Sequence, residues 1–109
     1  MKLALAALAA VTLPMAGNAS AALDKAAADA LMKKDGCAAC HAVDKKVIGP
    51  SYQDVAAKYV AEKDAVAKLS KKVKDGGAGV WGQIPMPPNA HIPDAEVKEL
   101  VTWIMTLKK

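Results

Sequence analysis

The chain has 109 residues, room for a single domain. Its 15 basic residues are all lysine and face 11 acids, a net charge of +4. That excess is too small to argue for a nucleic-acid partner, and no basic amphipathic stripe marks a membrane-surface helix. Two cysteines, two Trp, two Tyr and no Phe leave little to fill a core, so a non-protein group is expected at the centre.

The first stretch reads as a leader. Lys2 supplies a positive start, Leu3 to Leu13 is an almost unbroken apolar run, and small residues follow Pro14, Gly17 and Asn18. This is the pattern of a secretory signal peptide. A membrane anchor is the alternative, but the run is short of the ~20 apolar residues a span needs. The expected division is therefore 1–22 as a removed signal, cut after Ala21 or Ala22, and 23–109 as the domain. Export to the periplasm follows, with no stable membrane anchor. So short a domain buries only about 60% of its extended surface and is marginal without a staple.

The domain reads as helices joined by Gly/Pro loops. A first helix is predicted from about Asp24 to Asp35, with Leu23, Ala27, Ala30 and Leu31 on its inner face and Gly36 at its end. Lys45 to Pro50 is a loop. Ser51 with Asp54 resembles a capping box opening a helix through about Tyr59. Asp64 is the expected N-cap of a third helix with Val66, Leu69 and Val73 inside. Gly76 and Gly77 stop it. From Gly76 to Ile92 runs a long Gly/Pro-rich segment, and an irregular loop of that length is usually functional. The last helix begins near Pro93, carries Asp94 and Glu96 in its first turn, and buries Val97, Leu100, Val101, Ile104 and Leu107. No strand pattern is visible. The fold class is all-α.

Cys37-Ala38-Ala39-Cys40-His41 is a C-x-x-C-H motif, the signature of c-type haem attachment. Two residues between the thiols let a tight turn set both sulfurs along one ring edge, each adding to a vinyl group. The next residue, His41, then lies under the iron as an axial ligand. Three alternatives compete. A Cys37–Cys40 disulfide would close too short a loop to stabilise much. A thioredoxin-like pair needs a βαβ context. A zinc site would need Cys37, Cys40, His41 and a fourth ligand such as His91. Export favours haem, because bacterial haem attachment takes place outside the cytoplasmic membrane.

For the iron's other face the candidates are Met32, Met86, Met105, His91 and the lysines. Met32 and Met105 fall in helices and read as core filler. Met86 lies in Ile84-Pro85-Met86-Pro87-Pro88-Asn89, where prolines on both sides stiffen the chain. A stiff loop can present a thioether with little entropy left to lose, so Met86 is preferred and His91 is the runner-up.

With both segments in view, the chain resembles the small bacterial class I cytochromes c of the c-551/c-552 family. The stretches that carry the resemblance are Gly36–Ala42, Val47–Tyr52, Asp54–Tyr59 and, most specifically, Gly79–Asn89. The family implies about four helices around one covalently bound haem, with His41 and Met86 axial. It implies that the Pro50 carbonyl accepts the second N–H of His41, that the Trp81 indole donates to a haem propionate, and that the Asn89 amide bonds near the Met86 sulfur. Where relatives can have an arginine near the propionate, this chain offers Lys72, a point charge and not a bidentate fork.

The function implied is a periplasmic single-electron carrier and not an enzyme. It would be a monomer serving a respiratory reductase, a nitrite reductase before a terminal oxidase. A haem enzyme or gas sensor in which Met86 dissociates is the alternative, and a subunit of a larger oxidoreductase is a third. Redox partners are expected at the exposed haem edge, on an apolar rim of Ala38, Ala39, Val47, Ile48, Pro87 and Pro88 framed by Lys34, Lys45 and Lys46.

Overall fold

The computed structural model describes residues 7, 9–11 and 23–107. The signal segment expected over 1–22 therefore lies almost wholly outside the described residues. Four α-helices are present: α1 (Lys25–Lys34), α2 (Tyr52–Tyr59), α3 (Ala65–Asp75) and α4 (Asp94–Ile104). A single 3-10 turn, Cys37–Ala39, follows α1. Among the described residues there is no strand, only two isolated bridges, His41 with Lys46 and Gly77 with Met86. No described helix is long and apolar enough to cross a membrane.

The helix starts follow local chemistry. The Asp24 carboxylate accepts from Ala27 N at 2.7 Å, and Ser51 Oγ accepts from Asp54 N at 3.1 Å. Each satisfies a backbone donor that the first turn leaves orphaned. Asp64 does precede α3, but its side chain makes no capping hydrogen bond. Its backbone, at φ −100° and ψ 17°, lacks the extended geometry from which a cap reaches back. Pro93 is the residue before α4 and not its first helical position, with ψ at 140°.

Helix α4 packs against α1, α2 and α3. Its Leu100, Trp103 and Ile104 join Ala28, Met32 and Tyr52 in one apolar cluster, while Val97 and Val101 join Tyr59, Ala65, Leu69 and Ile92 in a second. The inner face of α1 is rotated from the expected one. Ala28 and Met32 are buried, Leu31 is half-buried and Ala30 is exposed. Four alanines in the first turns of α1 make its periodicity nearly uninformative, so packing of the larger Met32 decides the rotation.

Ile92 is 1% exposed in the second cluster, whereas Ile84 is 70% exposed on the long loop. Ile92→Ala is expected to destabilise the haem-loaded protein by about 2–5 kcal/mol. Val60→Ala, at a position 75% exposed and outside the cavity lining, should stay within about 0.5 kcal/mol of the parent. Denaturant titration of both variants measures the difference.

Candidate haem site

A cavity of about 530 Å³ opens between the two clusters and is lined chiefly by apolar side chains. Cys37, Cys40, His41 and Pro50 line one part of it, and Lys72, Trp81 and Met86 line another. The segment after the motif is folded back on itself. Ile48 N and Gly49 N both donate to Cys40 O, at 3.2 and 2.8 Å, while Tyr52 N and Gln53 N donate to Ala42 O and Val43 O at 2.9 and 3.0 Å. This tight return brings Pro50 O to 2.8 Å from His41 Nδ1. A carbonyl can only accept, so Nδ1 is the donor and Nε2 is the nitrogen left for a metal. The Tyr52 ring stacks on the imidazole, 5.2 Å between centroids and 25° between planes.

Gly49 is a residue that the sequence reading passed over. A Cβ there would stand 2.5 Å from His41 Cε1 and 2.9 Å from Nδ1. Only glycine lets the backbone lie against the ring. The sequence placed Gly49 only within the Lys45–Pro50 loop and the Val47–Tyr52 stretch.

The Met86 segment is held from several sides. Gly77 and Met86 exchange two backbone hydrogen bonds, 3.0 and 2.9 Å long. Gly76, at φ +69°, has no room for a Cβ, which would collide with the Met86 carbonyl and the Pro87–Pro88 peptide. Lys58 Nζ lies 5.6 Å from the centroid of the Trp81 ring, a cation–π contact that ties α2 to the loop. Met86 itself is half-buried.

Asn89 is tied to carbonyls on two sides. Its Nδ2 donates to Val73 O and to Pro87 O, both at 3.1 Å. Its backbone N–H reaches Val73 O and Lys74 O at 3.2 and 3.1 Å. Asn89 thus caps the free carbonyls at the end of α3 and pins the loop to them. Lys74, also unforeseen, donates to Ala90 O and Ile92 O and pairs with Asp94 at 3.0 Å, holding the approach to α4. Lys72 is half-buried at the cavity wall, its amine against Gly77.

The residues present fit a covalently held haem. The core is divided around an apolar space that His41 lines, one imidazole nitrogen is left over from the Pro50 bond, and both cysteines remain unpaired. The rival readings lose ground. Cys37 and Cys40 form no disulfide. Burial, and next the Asp35 charge, push the Cys37 thiol up, the opposite of a reactive redox cysteine. Among the described residues no group of three or more His, Cys, Asp or Glu could hold a metal ion, as zinc would require. His91 is exposed.

Four helices around a C-x-x-C-H turn and an apolar cavity define an all-α protein of the covalent-haem class. The sequence pattern of the cytochrome c family matches residues 25–108, and the chain belongs to that family. It is 51% identical to cytochrome c-552 of Nitrosomonas europaea over 100 residues, covering 92% of this chain and 91% of that protein. It is 51% identical to cytochrome c-551 of Allochromatium vinosum over 94 residues, 85% of this chain and 100% of that protein. The crystal structure of wild-type N. europaea cytochrome c552 superposes with a TM-score of 0.71 at 54% identity, covering 73% of this chain and 99% of that one. The chain is accordingly a class I cytochrome of the c-551/c-552 kind, an electron carrier and not an enzyme, and it binds one covalent haem c.

Gly49→Ala tests the seat of His41. The methyl group is expected to push the imidazole off Pro50 O, so the His41 Nδ1 proton resonance of the haem-loaded protein should shift or broaden and the midpoint potential should move. An unchanged resonance and potential would show that the ring does not depend on this close approach.

Proposed function

We propose that this protein carries single electrons in the periplasm on a haem held between His41 and Met86. The observation that supports this most is the pairing of supports around one apolar cavity: His41 committed through Nδ1 to Pro50, and Met86 on a loop pinned at Gly77 and Asn89. When bound, the haem supplies one-electron chemistry between ferric and ferrous iron, and a His/Met pair raises the potential of that couple. The chain's own groups do the rest. Pro50 fixes the His41 ring and raises its basicity. The apolar walls keep water from the centre. Trp81 and Lys72 supply a donor and a cation on the wall where a propionate would be met. Asn89 acts on the iron through the position of the Met86 loop. Cys37 and Cys40 would hold the haem through thioethers and His41 and Met86 would hold its iron, so a substrate would have to displace one of them to reach it.

The apolar run ahead of the domain supports export with removal of residues 1–22. A nitrite reductase is the favoured electron acceptor and a terminal oxidase the second, by family resemblance. Docking is placed at the haem edge. Val47 and Ile48 are 46% and 51% exposed beside the cavity, Ala38, Ala39, Pro87 and Pro88 are exposed as well, and Val80 and Trp81 enlarge the rim. Lys45 and Lys46 are exposed near it, whereas Lys34 is engaged by Glu96 at 3.0 Å. Redox encounters use interfaces below about 1,200 Å², and rim lysines act on encounter rate more than on lifetime.

Two measurements test this reading. Met86→Ala should abolish the weak ferric iron–thioether absorption and let carbon monoxide alter the ferrous spectrum, while Met32→Ala and Met105→Ala keep the band. Persistence of the band in Met86→Ala would remove Met86 as ligand. For docking, Lys45→Glu with Lys46→Glu should lower the second-order rate of oxidation by a purified periplasmic acceptor at low salt and flatten its salt dependence. A rate and slope equal to the parent's would exclude those lysines from steering.

A further inference from the structure

Asp35 closes the C-terminal end of α1, and Glu96 stands in the first turn of α4. Their side chains are only 8% and 17% exposed. Asp35 Oδ2 is fully buried with no hydrogen-bond donor from the protein, and Glu96 Oε1 is buried as well. The two carboxyl groups lie within hydrogen-bonding reach of each other. One ammonium serves the pair: Lys34 Nζ is 3.0 Å from Glu96 Oε1 and 4.0 Å from Asp35 Oδ1. The other groups facing them are His91, from the loop before α4, and Cys37, from the 3-10 turn. Cys37 becomes an uncharged thioether once haem is attached.

Two carboxylates in contact and away from water do not both ionise cheaply. A single proton between them turns repulsion into a charge-assisted hydrogen bond and satisfies the orphaned oxygen. The helix ends decide which residue keeps it. A negative charge is disfavoured at the C-terminus of α1 and favoured in the first turn of α4, and Lys34 is nearer Glu96. Asp35 is therefore the protonated partner. Burial, then the Glu96 hydrogen bond and charge, raise Asp35 above the ordinary carboxylate range. The Asp35 hydrogen bond, then Lys34, hold Glu96 below it.

We propose that Asp35 and Glu96 form a binding site for one proton whose occupancy is linked to the redox state of the attached haem. The position supplies the link, because Asp35 lies two residues before Cys37, the first haem attachment point. It does not depend on which side chain is the sixth ligand. Oxidation leaves the iron centre richer by one positive charge and favours the ionised Asp35. Reduction takes one electron from the donor protein and, where Asp35 titrates, draws a fraction of one proton from water onto Asp35 Oδ2. Reoxidation sends the electron to the acceptor and returns the same fraction to water.

The signs follow. The midpoint potential falls as pH rises through the raised Asp35 value. The stability contributed by protonated Asp35 is full below the ordinary carboxylate range and is lost over the same rise. The contribution of ionised Glu96 is present above the ordinary range and is lost as pH falls through its lowered value. The α1–α4 junction is thus firmest between the two, where one proton is bound.

The test uses the haem-loaded protein. Carboxyl-carbon NMR titration in both oxidation states should show Asp35 titrating above the ordinary range, with on the order of a three- to tenfold tighter proton in the ferrous form. Midpoint potentials measured from acid to neutral pH should show a step that Asp35→Asn removes and that His91→Gln retains. The proposal is overturned if Asp35 titrates at the same pH in both oxidation states, or if Asp35→Asn keeps the parent's pH profile. Should Asp35→Asn fail to fold, the titration of the parent protein decides alone.

Discussion

The rest of this structure depends on an apolar space that its own side chains do not fill. Two clusters of buried residues flank it, and α4 contributes to both. A domain of this size gains little from burial, so a central void of about 530 Å³ would leave it close to unfolded. The group that enters the void adds contact to both clusters at once. Its covalent tether makes that contact intramolecular, and binding free energy becomes folding free energy. The absence of Phe from the chain then has a physical reading: the large flat hydrophobe of this core is the cofactor.

The two sides of the cavity are built by different means. The His41 side is local. The bond to Pro50 spans nine residues, and the backbone bonds to Cys40 O, Ala42 O and Val43 O close the same short stretch. Such a seat can form early and needs little of the fold. The Met86 side is assembled from distant parts: the end of α3 through Asn89, a glycine pair that leaves no room for side chains, and Lys58 on α2 against Trp81. Much of this loop is exposed, and few backbone bonds hold it. It is the part that opens at least cost, so the methionine side sets the lower limit of the site's rigidity.

Much of this was legible from the chain. Helix ends marked by Asp24, Ser51 and Gly76, the C-x-x-C-H turn and the proline-bracketed methionine are statements about neighbours in sequence. What failed were statements needing a direction in space. The alanines of α1 carry no information about which face is inner, so Ala30 was expected inside and lies outside. Asp64 has the right identity for a cap but the wrong backbone angles. Gly49 against the imidazole and the Asp35–Glu96 pair join residues whose approach only the fold determines.

The charges can now be sorted by task, and that sorting bears on recognition. Several lysines are engaged: Lys25 with Asp29, Lys34 with Glu96, Lys68 with Glu62, Lys71 with Asp75, and Lys74 with Asp94 and two carbonyls. Most of these are exposed pairs worth at most about 1 kcal/mol each, so they add little stability. Their effect on the field is larger. They cancel positive charge along α1 and α3, and on α3 the paired Lys68, Lys71 and Asp75 also line the cavity. Lys45 and Lys46 sit exposed on the loop that also bears Val47 and Ile48. On the proposed docking, apolar rim and lysines would divide the work: screened charge would orient the encounter over about 10 Å, and a small dry patch would hold it briefly. A carrier that must leave each partner after one electron needs that weak, oriented contact more than it needs affinity.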